Sequence, residues 1–208
     1  MIILGRQRLV FLEMPKAAST SIARMMKRGF ADEVIVRDKA DRHIGIVGFR
    51  RKIEEPLSLA LGGPIETFAV VRDPIDRAWS WYRYRHREKV RGLPVDTSGM
   101  TFEQFLAGCL IRPVPAHART GSQARFVGFA DGRAEVDYLF DFANLKGLKM
   151  FLSRRAHTGL HLPRRNASPA EPLPEVPAAL SEALRQHWAE DFALYDTVRA
   201  AGCLRRAN

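Results

Sequence analysis

The sequence predicts an α/β protein: one domain over residues 1–208, a sandwich in which helices flank a central, mainly parallel sheet. Three observations carry this expectation. Short runs of β-branched and aromatic residues recur at 8–14, 33–37, 65–71 and 138–142, and a segment of helical character follows each. A chain of 208 residues suits a single core. Hydrophobic residues at 46% and charged residues at 27% are the balance of a soluble globular protein.

The first strand is RLVFLEM, 8–14, and the helix at 19–28 follows it with Ile22, Met25 and Met26 on one face and Gly29 as its stop. EVIVR, 33–37, is the second strand. A helix is expected over 49–61, ended by Gly62, Gly63 and Pro64. IETFAVV, 65–71, is the third strand, and a strong helix start comes directly after it. Asp73 can cap the free amides, and Pro74 stands where the first helical residue needs no donor. That helix is expected to reach about residue 90, before the break at 92–94. Further helices are expected at 101–110 and 122–129. YLFDF, 138–142, is the fourth strand, with a helix at 145–152. The stretch 163–177 is proline-rich and irregular. A single amphipathic helix, 178–200, then carries Leu180, Leu184, Trp188, Phe192 and Tyr195 on one face.

Composition narrows the function classes. Lys and Arg total 33 against 23 Asp and Glu, a net charge of +10 that favours polyanionic partners such as nucleic acid, phosphorylated cofactors or acidic glycans. No apolar run is long enough to span a bilayer, and the run before Arg6 is too short for a signal peptide, so a cytoplasmic chain without stable membrane insertion is expected. Cys109 and Cys203 are far apart and lack metal-type or C-x-x-C spacing, which argues against a disulfide scaffold and a zinc site.

Two strand–helix junctions carry the chemistry, and in a parallel sheet both lie on the edge where ligands bind. The first is PKAASTS, 15–21. Small residues at Ala17, Ala18 and Ser19 let backbone amides approach an anion, and the helix start adds unpaired N–H groups. Lys16 contributes a charge, Thr20 and Ser21 hydroxyls. This is not a Walker loop, which needs G-x-x-x-x-G-K-S/T; here the lysine precedes the small residues and glycine is absent. The second junction is RDPIDRAWSWY, 72–82. Arg72 ends a strand, and Ser80 two turns into the helix leans back toward it, a fork and a hydroxyl suited to a phosphate monoester. Read alone, each junction is also explained by an ordinary capped helix.

Together, in this order, the two resemble the superfamily of sulfotransferases that use 3′-phosphoadenosine-5′-phosphosulfate (PAPS). Pro15, Lys16, Thr20 and Ser21 match that family's P-K-x-x-x-T-S loop for the 5′-phosphosulfate. Arg72, Pro74, Arg77, Ser80 and Tyr82 match its R-x-P-x-x-R-x-x-S-x-Y segment for the 3′-phosphate. Ala17 and Ala18 stand where many members carry glycine. FDFANLKGLKMFL, 140–152, resembles a later strand and helix, with Ala143 in place of the frequent glutamate. LPRRNASP, 162–169, resembles the basic loop that closes over the nucleotide, pointing to Arg164, Arg165, Asn166 and Ser168. WAEDFALYD, 188–196, resembles the terminal helix of the carbohydrate branch.

The resemblance implies a P-loop-like fold, PAPS as co-substrate without a metal, and a carbohydrate or glycolipid acceptor. It places Pro15 to Ser21, Arg72, Ser80, Arg164, Asn166 and Ser168 around the cofactor and gives Lys16 the leaving oxygen. His43, in DRHIGIVGF at 41–49, resembles the branch's catalytic histidine, and an imidazole titrates in the range a base needs. Glu13 is the alternative base; nothing ties His86 or His117 to this edge. The run at 83–91 is either a guide for an anionic acceptor or a solvated face. Two other classes compete. A kinase-like phosphotransferase lacks its Walker glycines and a magnesium-binding aspartate. A polyanion or nucleic-acid module lacks any helix-turn-helix, KH or zinc pattern.

Overall fold

The computed structural model describes residues 1–30, 42–161 and 171–206, together with the backbone of 34–36. A six-stranded sheet of order β3-β1-β2-β4-β5-β6 forms its centre. The strands are β1 (Ile2–Leu4), β2 (Leu9–Phe11), β3 (Val34–Val36), β4 (Glu66–Val71), β5 (Tyr138–Asp141) and β6 (Cys203–Arg205). β2, β4 and β5 are parallel neighbours; β1 runs antiparallel to β2 and β3, and β6 antiparallel to β5. Thus β2 to β5 share one direction and two strands oppose it, the expected mainly parallel sheet.

The central strands are buried along nearly their whole length, so their sequences read as continuous apolar runs rather than alternating ones. Phe11 and Phe68, paired across β2 and β4, stack with ring centroids 4.7 Å apart, and Phe140 meets Phe68 edge-on at 6.3 Å. This aromatic row fixes the spacing of the strands whose ends carry the site. β1 and β6 were not expected. Each is three residues long, too short for any periodicity, and each becomes a strand by pairing with a partner already in the sheet.

The helix α1 (Ser19–Gly29) buries Ile22, Met25 and Met26 as its periodicity requires. The expected helix at 49–61 starts earlier and is interrupted: α2 (Ile46–Phe49) runs through a π-turn at Arg50–Glu54 into α3 (Glu55–Leu61). Pro56 accounts for the interruption, since it cannot donate to the carbonyl one turn back. Gly62, at φ 69°, closes α3 in the left-handed conformation.

After β4 comes α4 (Pro74–Arg85), begun as expected: the Asp73 carboxylate accepts from the Ile75 and Asp76 amides at 2.9 Å. It stops at Arg85 rather than near residue 90. The buried Thr97 intervenes, its hydroxyl donating to the Tyr82 carbonyl at 2.9 Å and its amide to that of Arg85 at 3.3 Å. Then follow α5 (Phe102–Leu110), opened by a Thr101–Gln104 capping box, α6 (Gln123–Val127) and α7 (Lys146–Ala156).

The terminal amphipathic segment is two helices, α8 (Ala178–His187) and α9 (Ala189–Ala201), bent at Trp188. A single stripe would serve one core, and here there are two. Leu180, Leu184 and Trp188 pack on a cluster built from Trp79, Phe102, Phe105 and Leu106 of α4 and α5, whereas Leu194, Tyr195 and Val198 join the sheet core.

Candidate active site

Because β2 and β4 are parallel neighbours, the loop after Phe11 and the residues after Val71 emerge side by side. Two guanidinium groups tie them together. Arg72 Nη1 donates to the Lys16 carbonyl at 3.1 Å, and Arg77 Nε to the Pro15 carbonyl at 3.2 Å. With these carbonyls held from behind, the loop's amides are left for another partner. Lys16 and Ala18 adopt φ 69° and 58°, in the left-handed region, on either side of the buried Ala17. Alternating left-handed residues turn amides into an anion-binding concavity. The loop thus takes glycine-type conformations without glycine, at a cost of about 1–2 kcal/mol for each residue. Ala18 is also the N-cap of α1 and has no side chain to bond the first-turn amides; the Ser21 amide turns back to the Ala18 carbonyl at 2.9 Å, and those of Ser19 and Thr20 add to the concavity. Thr20 and Ser21 stand half-buried in that first turn.

Lys16 does not extend freely into solvent. Its Nζ lies over the Tyr84 ring, 4.4 Å from the centroid, and 5.7 Å from that of Trp81. Burial, then the charges of Arg87, Arg72, Arg83 and Arg85, lower its pKa to about 8.

Arg72 is 9% exposed. Its Nε and Nη2 clasp the Asp76 carboxylate at 2.6 and 2.8 Å, and its plane lies 4.2 Å from the Phe142 centroid. Of its five N–H donors these bonds use one each on Nε, Nη1 and Nη2, leaving two for a ligand. Ser80 is half-buried and follows Asp76 by one turn on the same face of α4.

His43 is exposed, and its Nδ1 lies 2.7 Å from the Glu13 carbonyl oxygen. A carbonyl only accepts, so Nδ1 carries the proton, and in the neutral ring Nε2 is the atom left with a lone pair. The Glu13 side chain is otherwise engaged. It is buried, 3.0 Å from the Met1 ammonium and 3.6 Å from Arg42 Nε. The two candidate bases therefore differ in kind, one open and oriented, the other enclosed in an ion pair.

A protein-family model described as the sulfotransferase family matches residues 1–196. This chain belongs to the sulfotransferase family. It is a sulfotransferase, and the readings as a kinase-like phosphotransferase or a polyanion module give way to that. No curated protein matches the sequence significantly.

In this sulfotransferase the site rests on residues that the sequence reading did not single out. Fully buried Gln123 clamps the Arg72 backbone, accepting from its N–H at 3.0 Å and donating to its carbonyl at 2.7 Å. Asp191 of α9 in turn accepts from the Gln123 and Ala124 amides at 3.0 and 2.9 Å and from the Ser122 hydroxyl at 2.7 Å. Asp191 lies inside the segment that resembles the carbohydrate branch's terminal helix; Gln123 carried no signal. Arg77, matched to the second motif, proves to be internal bracing. Its Nη1 and Nη2 donate to the Gly121 and Thr120 carbonyls at 3.0 and 2.7 Å, and burial lowers its pKa to about 10.

Arg164, Asn166 and Ser168, with Arg165, lie outside the described residues. His86 bonds the Thr97 carbonyl at 3.2 Å, away from the loop. Among the described residues no helix is long and apolar enough to cross a membrane, and no group of three or more acidic, His or Cys side chains is gathered for a metal.

Under the proposal that Lys16 meets an anionic nucleotide, its lowered pKa predicts a pH dependence of binding. An anionic nucleotide favours the charged lysine, and the free protein loses that proton near pH 8. Binding above that pH must take up a proton. The affinity for 3′-phosphoadenosine-5′-phosphate should therefore be level near pH 7, where its phosphate monoesters are already ionised, and fall above pH 8, by up to about tenfold per pH unit. Calorimetry in buffers of different ionisation enthalpy checks both the slope and the proton uptake.

Proposed function

We propose that this sulfotransferase takes its sulfuryl group from PAPS and transfers it to a hydroxyl of a carbohydrate or glycolipid, with His43 as the base. The observation that carries the reading is the pairing of two anion sites. The concave loop with the α1 start, and the Arg72–Ser80 face of α4, are joined by the two guanidinium–carbonyl bonds. A nucleotide with phosphate groups at both its 3′ and 5′ ends needs two such sites at a fixed separation.

The residues present fit that ligand. The amides of 17–20 and the hydroxyls of Thr20 and Ser21 would hold the 5′ end. The two remaining donors of Arg72 and the Ser80 hydroxyl would hold the 3′-phosphate. When bound, PAPS supplies a sulfuryl group on a good leaving oxygen. Lys16 offers its ammonium where charge grows on that oxygen during in-line displacement. The Nε2 of His43 accepts the proton of the attacking hydroxyl, while its Nδ1–H, held by the Glu13 carbonyl, keeps the ring oriented. The carbohydrate class follows from the resemblance of the His43 and 188–196 segments to that branch.

Nucleotide selectivity tests this. The protein should bind 3′-phosphoadenosine-5′-phosphate far more tightly than adenosine 5′-phosphosulfate, which lacks the 3′-phosphate. Arg72→Ala should weaken the first by about 2–4 kcal/mol, the scale of a broken charge-paired contact, and barely touch the second. Equal affinities of the wild-type protein, measured by calorimetry, would remove the assignment without reliance on any variant.

A further inference from the structure

Two helices away from the phosphate-type loops carry charge of one sign only. The sequences of α1 (STSIARMMKRG) and α7 (KGLKMFLSRRA) contain lysines and arginines and no acid. Arg155 is committed: it donates to Glu66 at 2.7 Å and lies 3.8 Å from the Phe151 centroid. Arg24, Lys27, Arg28, Lys146, Lys149 and Arg154 are exposed and form no ion pair or side-chain hydrogen bond among the described residues. The helices meet at their C-terminal ends. The Leu160 amide donates to Ser153 Oγ of α7 at 3.1 Å, and the Leu160 side chain fills the space that a Cβ on Gly29 of α1 would need. Both helices turn their apolar sides into the sheet core, which leaves their cations in one region of the surface.

Local chemistry explains part of this charge and not the rest. Cations in a last turn complement the helix dipole, which accounts for Lys27, Arg28 and Arg154. Lys146 is the first residue of α7 and Lys149 the fourth, where the same dipole opposes a cation. Neither helix supplies a carboxylate to offset them. Met150 stands in their midst and is 49% exposed. Lys146, Met150 and Arg154 follow one another at four-residue spacing, so one outward line of α7 runs cation, thioether, cation.

We propose that the α1–α7 face docks on a lipid bilayer that bears anionic headgroups. The cations meet the headgroup charge, and the Met150 tip enters the boundary between headgroups and acyl chains. A nucleic-acid duplex would satisfy the cations equally well, but it offers no apolar phase for Met150. The association is peripheral, with no helix crossing the bilayer, and it does not depend on how the Lys16 loop is used.

Vesicle flotation at pH 7 decides this. Vesicles of phosphatidylcholine alone, and of phosphatidylcholine with phosphatidylserine, are compared at about 0.15 M and about 1 M salt. The protein should bind the phosphatidylserine vesicles at least tenfold more tightly at the lower salt and lose that preference at the higher. Lys146→Gln and Lys149→Gln should each weaken binding about fivefold, the scale of one basic side chain near such a surface. Met150→Ser should weaken vesicle binding and leave binding to a double-stranded DNA oligonucleotide unchanged. Lys52→Gln, exposed on the π-turn after α2, should leave vesicle binding unchanged. Equal affinity of the wild-type protein for the two vesicles overturns the proposal without reliance on any variant. So does a preference that survives Lys146→Gln combined with Lys149→Gln, or DNA binding tighter than vesicle binding.

Discussion

Lys16→Ala is expected to lower kcat by about a hundredfold or more, the scale for removal of one preorganised donor at a developing oxyanion, with a smaller loss of nucleotide affinity. The reason is where the charge is needed. On the proposed reading, the nucleotide's anions are met in the ground state by the loop amides, Arg72 and Ser80. The bridging oxygen gains charge only as the sulfuryl group departs, so the lysine contributes most in the transition state. The loop itself should survive the change, since residue 16 keeps the same left-handed backbone with either side chain and its carbonyl remains bonded to Arg72. Single-turnover kinetics with a saturating acceptor, set beside nucleotide affinity from calorimetry, separates the effects. A variant that loses affinity and keeps turnover would make Lys16 a binding residue and nothing more.

The framework of this site was legible where the chemistry is local. Asp73 and Pro74 announce α4 because capping is decided within three residues. PKAASTS announces a turn into α1 for a similar reason. The direction of Lys16 was not legible, because it depends on Trp81 and Tyr84 arriving from another element. Gln123 and Asp191 are further examples: they reach Arg72 and the α6 start across 51 and 68 positions, by side-chain bonds that leave no periodicity. The bend at Trp188 escaped for the opposite reason. The apolar stripe runs on through the break, so periodicity alone reads one helix where two cores demand two.

The basic surplus also divides in a way composition does not reveal. Arg77 and Arg85 are buried against backbone carbonyls, where their forks satisfy loop acceptors. Arg72 straddles both uses, clasping Asp76 while keeping two donors. Lys16 and Arg87 share the Tyr84 ring, at 4.4 and 5.2 Å from its centroid. A net charge of +10 therefore includes cations that serve the fold from inside.

His43→Ala is expected to slow turnover by about 10²–10⁴, the span for a general base, while leaving nucleotide affinity intact because no proposed phosphate ligand is touched. The pH profile makes the assignment specific. In the wild-type enzyme kcat/KM should fall on the acid side, as protonation of Nε2 removes the lone pair that takes the acceptor proton. It should fall again on the alkaline side as Lys16 discharges near pH 8. His43→Ala should abolish only the acid limb. Glu13→Gln separates the two candidate bases. Its carboxylate pairs with the Met1 ammonium at 3.0 Å, and breaking a buried pair costs about 3–5 kcal/mol, so this variant should melt earlier yet keep the acid limb, because the carbonyl that orients His43 is unchanged. Loss of the acid limb in Glu13→Gln, with a normal profile in His43→Ala, would transfer the role of base to Glu13.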